Sequence, residues 1–169
     1  IYFYKEIINF FDNKILFLKI FASSIPAMII GFVLVKLELI ELFRNIEVIA
    51  WMTILFGILL FISDKFELKK EIKSDFNYKS AIIIGLFQIL SLIPGVSRAG
   101  ITITAARLLN FKRVDAAKIS FLLSIPILGA VSIFGLYSIF FSDNIEIAKL
   151  NLLSMFLSFL FSLMKITYF

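Results

Sequence analysis

The segment Pro94-Gly95-Val96-Ser97-Arg98-Ala99-Gly100 interrupts apolar sequence and combines the residue types that hold an anion. Pro94 ends a helix, Gly95 and Gly100 permit turns and close backbone approach, and the spacing predicts a new helix starting near Ile101. A helix N-terminus presents unpaired N–H donors and the positive end of its dipole, so it suits an anion and above all phosphate. Arg98 adds a full charge on a planar fork that can take two phosphate oxygens at once. Ser97 and Thr102 carry hydroxyl donors on the same turn, and Arg98 and Thr102, four apart, share a helix face. An arginine at mid-membrane costs roughly 2.5 to 3.5 kcal/mol on insertion scales, so it ordinarily has a partner or a task. The spacing also accommodates a plainer reading, an interfacial loop with Arg98 among lipid headgroups.

Other polar residues near this segment favour structural roles. Gln88, six residues before Pro94, could hydrogen-bond toward the break, although helix-to-helix bonding is the favoured reading. Ser24-Ile25-Pro26 and Ser124-Ile125-Pro126 read as helix kinks in which serine satisfies freed carbonyls. Arg107, Lys112 and Arg113 could guide an anionic headgroup, but an interfacial anchor cluster is favoured. The 21 phenylalanines are expected to face lipid.

The elements that must position these residues are membrane helices. Hydrophobic residues make up 61% of the 169 and charged ones 17%, and mean hydropathy is +1.02, far more apolar than a soluble core requires. Uncharged runs at 20–35, 48–63, 119–142 and 150–164, with their flanks, read as four spanning helices. Residues 80–97 either cross fully, leaving 98–118 as a loop, or form with their successors a re-entrant helical pair around 80–110. Basic clusters at 64–79 and 107–118 flank the stretch on both sides, and the positive-inside rule puts both in the cytoplasm, which favours re-entry. Acidic turns at 37–47 and 143–146 then fall on the outer side. The expected fold is all-α and polytopic, with residues 1–169 as one membrane domain.

Several chemistries are excluded. Cysteine and histidine are absent, which removes disulfides, thiolate chemistry and the commonest general base and metal ligand. The formal charge of +5 comes from Lys and Arg beside apolar spans, where they anchor against lipid, so nucleic acid is discounted as a partner.

Phe87-Gln88, then Pro94 to Thr102, then Ser120-Phe121-Leu122-Leu123-Ser124-Ile125-Pro126, in this order and spacing, resemble bacterial undecaprenyl-diphosphate phosphatases, the bacitracin-resistance family. Ile25-Pro26 followed by Gly31 is similar to that family's earlier span, so the likeness covers nearly the whole chain. The resemblance implies hydrolysis of undecaprenyl diphosphate to the monophosphate and phosphate at the inner membrane, recycling the lipid carrier of cell-wall synthesis. It assigns Arg98 to neutralising the diphosphate, Ser97 and Thr102 to hydrogen bonding, Gly95 and Gly100 to shaping the loop, and Gln88 to its vicinity.

Two departures matter. Ala99 stands where the family usually has serine, and nothing in residues 1–19 matches the family's earlier re-entrant segment with its glutamates and Ser-Ser-Thr-Gly-His run. The chain begins at Ile1, and it is expected to be a partial family fold, inactive by itself, that supplies the phosphate-binding half. A divalent metal, Mg or Ca, is implied with ligands outside this chain. The expected partners are a polyprenyl diphosphate lipid and the membrane, with a homodimer left open. The alternative function is a transporter or flippase of a polyprenyl phosphate lipid, because broken helices also build anion sites in transporters.

Overall fold

The computed structural model describes residues 10, 13–38, 44–65, 70–140 and 145–168. The helices in chain order are α1 (Lys14–Lys36), α2 (Ile46–Asp64), the short α3 (Ile72–Asp75), α4 (Tyr78–Ile89), α5 (Arg98–Leu108), α6 (Arg113–Phe140) and α7 (Ile145–Tyr168), with a 3-10 turn at Leu90–Leu92 after α4. The one β-type contact among the described residues is an isolated parallel bridge between Lys70 and Phe111. The protein is an all-helical membrane protein. Asp143 and Asn144 of the expected outer turn, part of the acidic turn at 37–47, and Lys69 of the first basic cluster lie outside the described residues.

Polar residues at the loop exits start the helices. The Oδ1 atoms of Asn13, Asn45 and Asn77 accept from the backbone N–H groups of Leu16, Glu47 and Ser80 at 3.1, 3.2 and 2.8 Å. Each satisfies one of the donors that a helix start leaves open. By length and composition α1, α2 and residues 113–137 of α6 can cross a membrane, while the described apolar stretch of α7, Leu150–Met164, is shorter. Pro26 and Pro126 lie inside α1 and α6, and both helices run on through them. The neighbouring serines act one or two residues before the expected place. Ser23 and Ser24 donate to the Ile20 carbonyl and Ser124 to that of Phe121, whereas proline frees the carbonyls four residues before it, at Ala22 and Leu122.

Between α2 and α6 the chain goes in and comes back. α4, the 3-10 turn, the loop 93–97 and α5 form the re-entrant pair that the charge pattern predicts. Close backbone approach seats it against α1: a Cβ at Gly85 would lie 2.0 Å from the Ser23 carbonyl oxygen. Ile20 of α1, Ala81 and Ile84 of α4, Ala105 and Ala106 of α5, and Ala116, Ile119 and Leu123 of α6 fill the space between these helices. Small residues here substitute for the hydrophobic drive that lipid cannot supply between helices.

The basic cluster at 107–118 is engaged within the protein at three of its residues. Arg107 is buried, donates from Nη2 to the Asp64 carbonyl oxygen at 2.8 Å and from Nη1 to that of Phe111 at 3.2 Å, and pairs with the Asp64 carboxylate. Arg113 donates from Nε to Asp64 Oδ1 at 2.7 Å. Two arginines therefore hold the last carbonyl and the side chain of α2, where the helix dipole is negative. Lys112 pairs with Glu71 beside the Lys70–Phe111 bridge. The sequence could not separate this network from an anchor cluster, because its acceptor, Asp64, lies more than forty positions away.

Candidate anion site

Pro94 and Gly95 form the turn at the tip of the re-entrant pair. Val96 N–H donates to the Ile93 carbonyl at 3.1 Å, and Gly95 has φ +95. Proline followed by a residue of positive φ is the signature of a type II turn, and glycine takes that φ without steric cost. A second constraint also selects glycine here. A Cβ on Gly95 would lie 2.5 Å from the Ile49 carbonyl oxygen of α2. Thr53, one turn further along α2, donates from Oγ1 to the Gly95 carbonyl oxygen at 3.1 Å and to that of Ile49 at 2.7 Å.

α5 starts at Arg98 rather than near Ile101, because Ser97 caps it. Ser97 Oγ accepts from Gly100 N–H at 3.2 Å, and the cap leaves the hydroxyl proton free to donate to something else. A Cβ on Gly100 would approach Ser97 Cβ to 3.2 Å, so a small residue keeps this cap compact. Arg98 is the first residue of the helix, and its own N–H and that of Ala99 belong to the open first turn.

The Arg98 side chain is half-buried and lines a cavity of about 420 Å³. Its Nη1 is buried without a hydrogen-bond partner among the described residues. The cavity walls are apolar: Ala27, Met28 and Gly31 of α1 and Ile127, Ala130 and Val131 of α6 face one another across it, with Ser91 and Leu92 from the turn before the loop. A guanidinium nitrogen left buried and unpaired against such walls suits an anion, because a buried polar group without a partner is costly.

The sequence-predicted residues separate into two groups. Gly95, Ser97, Arg98 and Gly100 sit together at the tip. Thr102 faces elsewhere: it is wholly buried, and its Oγ1 lies 2.7 Å from Ser120 Oγ of α6 and within 3.1 Å of the Arg98 and Ala99 carbonyls. Sharing a helix face with Arg98 did not bring its hydroxyl to the cavity, because the α6 hydroxyl engages it. Gln88 is also wholly buried, and neither amide atom has a hydrogen-bond partner among the described residues. The helix-to-helix bond favoured from sequence is therefore not made, although Ser91 donates to the Gln88 carbonyl at 2.7 Å, one turn below the loop. Sequence reasoning missed Thr53, whose only signal was a lone hydroxyl in an otherwise apolar run.

The depth of the site follows from α2. Ile49, beside Gly95, and Asp64, beside Arg107, are about 22 Å apart at the α-helical rise. Arg98 thus sits near the end of α2 opposite the basic cluster, on the same stretch of α2 as the exposed Trp51. Among the described residues no group of three or more His, Cys, Asp or Glu could hold a metal ion. The donors at the tip are a guanidinium, a hydroxyl and backbone N–H groups, which suit an anion and do not fit a divalent cation.

Comparison with known proteins follows the same lines. The model of a family described as bacitracin resistance protein BacA matches residues 1–169. A protein of Pelagibacter ubique (strain HTCC1062) named undecaprenyl-diphosphatase is 46% identical over 169 residues, covering 99% of this chain and 66% of that protein. Proteins of the same name from Jannaschia sp. (strain CCS1) and Geotalea daltonii (strain DSM 22248 / JCM 15807 / FRC-32) are 36% and 50% identical over 154 and 118 residues, covering 91% and 69% of this chain and 57% and 43% of their own lengths. The chain spans two thirds or less of the length of these curated relatives.

Proposed function

The chain belongs to the BacA family of bacitracin resistance proteins, and from that premise we propose that it takes part in hydrolysis of undecaprenyl diphosphate to undecaprenyl phosphate and inorganic phosphate, supplying the half of the site that holds the phosphates. The observation that carries this reading is Arg98, whose Nη1 is buried and unpaired against an apolar cavity at a helix N-terminus. The guanidinium fork and the first-turn N–H groups neutralise the diphosphate, and the adjoining apolar walls accept the start of the prenyl chain. Charge spreads onto phosphate oxygens as the anhydride bond breaks, so donors held in place beforehand favour the transition state.

Arg98 stabilises charge and does not activate water, so the nucleophile or base belongs to groups outside this cluster. A divalent ion, Mg or Ca, enters this reading only through carboxylates outside the described residues, and no step is derived through it. Lys70, Lys79, Arg107 and Lys112 gather at the other end of the helices, which by the positive-inside rule is cytoplasmic, so the site opens toward the outer leaflet of the bacterial inner membrane.

The test uses the 169-residue chain in proteoliposomes carrying undecaprenyl diphosphate. Binding that Arg98→Ala abolishes, without release of phosphate, is the expected result. Phosphate release well above the Arg98→Ala control would overturn the inactivity of the isolated chain, movement of intact lipid between leaflets would replace hydrolysis by transport, and binding that Arg98→Ala leaves unchanged would remove the site.

A further inference from the structure

The loop at 93–97 breaks a helical hairpin, and carbonyls that leave a helix need new donors. The Ile93 carbonyl accepts from Val96 N–H and the Ser97 carbonyl from Ile101 N–H. The Gly95 carbonyl has its donor in another helix: Thr53 Oγ1 of α2, at 3.1 Å. α2 is also the wall behind this residue, since Ile49 leaves no room for a Cβ on Gly95. The cavity that Arg98 lines lies elsewhere. Its walls come from α1, α6 and the turn at 91–92, and no residue of α2 contributes to them.

We infer that Thr53 is a positioning residue for the anion site: its hydroxyl ties the Gly95 carbonyl to α2, away from the Arg98 cavity, and so fixes the orientation of the loop whose following N–H groups meet the phosphates. This rests on the proposed reading that the loop binds a diphosphate. A carbonyl oxygen carries partial negative charge, and one free to swing toward a bound diphosphate would oppose it. Without the hydroxyl, the Gly95 carbonyl loses its tie to α2 and is free to turn, and the donors nearest to it along the chain are the N–H groups and guanidinium that the anion needs. The Thr53 proton is shared between two carbonyls, 2.7 and 3.1 Å away, so the hydroxyl can hold Gly95 without leaving its own helix. Valine at this position keeps the shape and the β-branch of threonine and removes only the bond.

The experiment measures binding of farnesyl diphosphate to the chain in nanodiscs for the wild type and for Thr53→Val, Thr53→Ser and Arg98→Ala. Helicity by circular dichroism and amide hydrogen exchange across residues 93–99 are followed in parallel. Thr53→Val is expected to weaken binding about tenfold, the equivalent of one lost hydrogen bond of roughly 1.4 kcal/mol, with unchanged helicity and faster exchange at the loop. Thr53→Ser is expected to recover affinity to within about threefold of the wild type, which a packing role would not produce. Wild-type affinity in Thr53→Val, or equal weakening in the Ser and Val variants, would overturn the inference while leaving the anion site in place. Failure of the wild type to bind, or binding indifferent to Arg98→Ala, would overturn the underlying reading and the inference with it.

Discussion

Ser97 combines two roles that substitution can separate. Its Oγ accepts from Gly100 N–H and starts α5, while its hydroxyl proton, beside the Arg98 guanidinium, serves an incoming anion. Asp and Asn cap a helix about as well as Ser, so replacing Ser97 by either keeps α5 in place. Asp adds a negative charge beside Arg98, however, and at close range like charge repels a diphosphate strongly. Ser97→Asn is therefore expected to keep thermal stability and farnesyl diphosphate affinity near wild type. Ser97→Asp is expected to keep stability and lose affinity by about a hundredfold, to be read by the same nanodisc binding measurement. Equal affinity in the two variants would reduce Ser97 to a cap. The neighbourhood of Ser97 and Arg98 at a helix start was legible in the sequence, because a Pro-Gly break ends one helix and a serine caps the next. Thr102 was legible as a residue but not in its role, since its partner Ser120 lies eighteen positions away on another helix.

The helices hold the tip in place by backbone proximity, and the glycines differ widely in what a side chain there would meet. A Cβ on Gly85 would meet Ser23 backbone atoms at 2.0 to 3.0 Å, whereas a Cβ on Gly129 of α6 would meet nothing within 4 Å. Backbone cannot rotate out of the way as a side chain can, so Gly85→Ala must push α4 off α1. The expected cost is about 3 kcal/mol, at the upper end of the range for overpacking. Gly129→Ala is expected to raise stability slightly, by about 0.5 to 1 kcal/mol, because alanine is the better helix former. Thermal unfolding in detergent, followed by helicity, measures both. The long spans were readable from uncharged runs alone, and the re-entrant pair from the basic clusters on both sides of it. The Asp64–Arg107–Arg113 network and the α1–α4 seam were not, because both depend on which helices become neighbours, and no local pattern in this sequence encodes that.

Sidedness unites the residues and elements. The positions of Gly95 against Ile49 and of Arg107 against Asp64 stretch the re-entrant pair along nearly the whole of α2, so the loop reaches the far side of the membrane from the end where its own helices begin and finish. The sequence placed the break in the membrane but could not give its depth, since periodicity reports which residues are apolar and not how far a hairpin penetrates. The two ends differ in charge, with Lys19 donating to the Phe76 carbonyl at 2.6 Å at the same end as the Arg107 network. An excess of lysine and arginine marks a cytoplasmic end. The chain contains no cysteine, so a single introduced thiol reports its own side. Glu47 and Ala99 are exposed at the end of the loop and Lys79 is exposed at the other. In intact spheroplasts a membrane-impermeant maleimide is expected to label Glu47→Cys and Ala99→Cys, and to label Lys79→Cys only after lysis. Labelling of Ala99→Cys from the same side as Lys79→Cys would show that the loop stops short of the outer face. The diphosphate would then have to be met from the cytoplasm, and the orientation of the cavity beside Arg98 would be reversed with it.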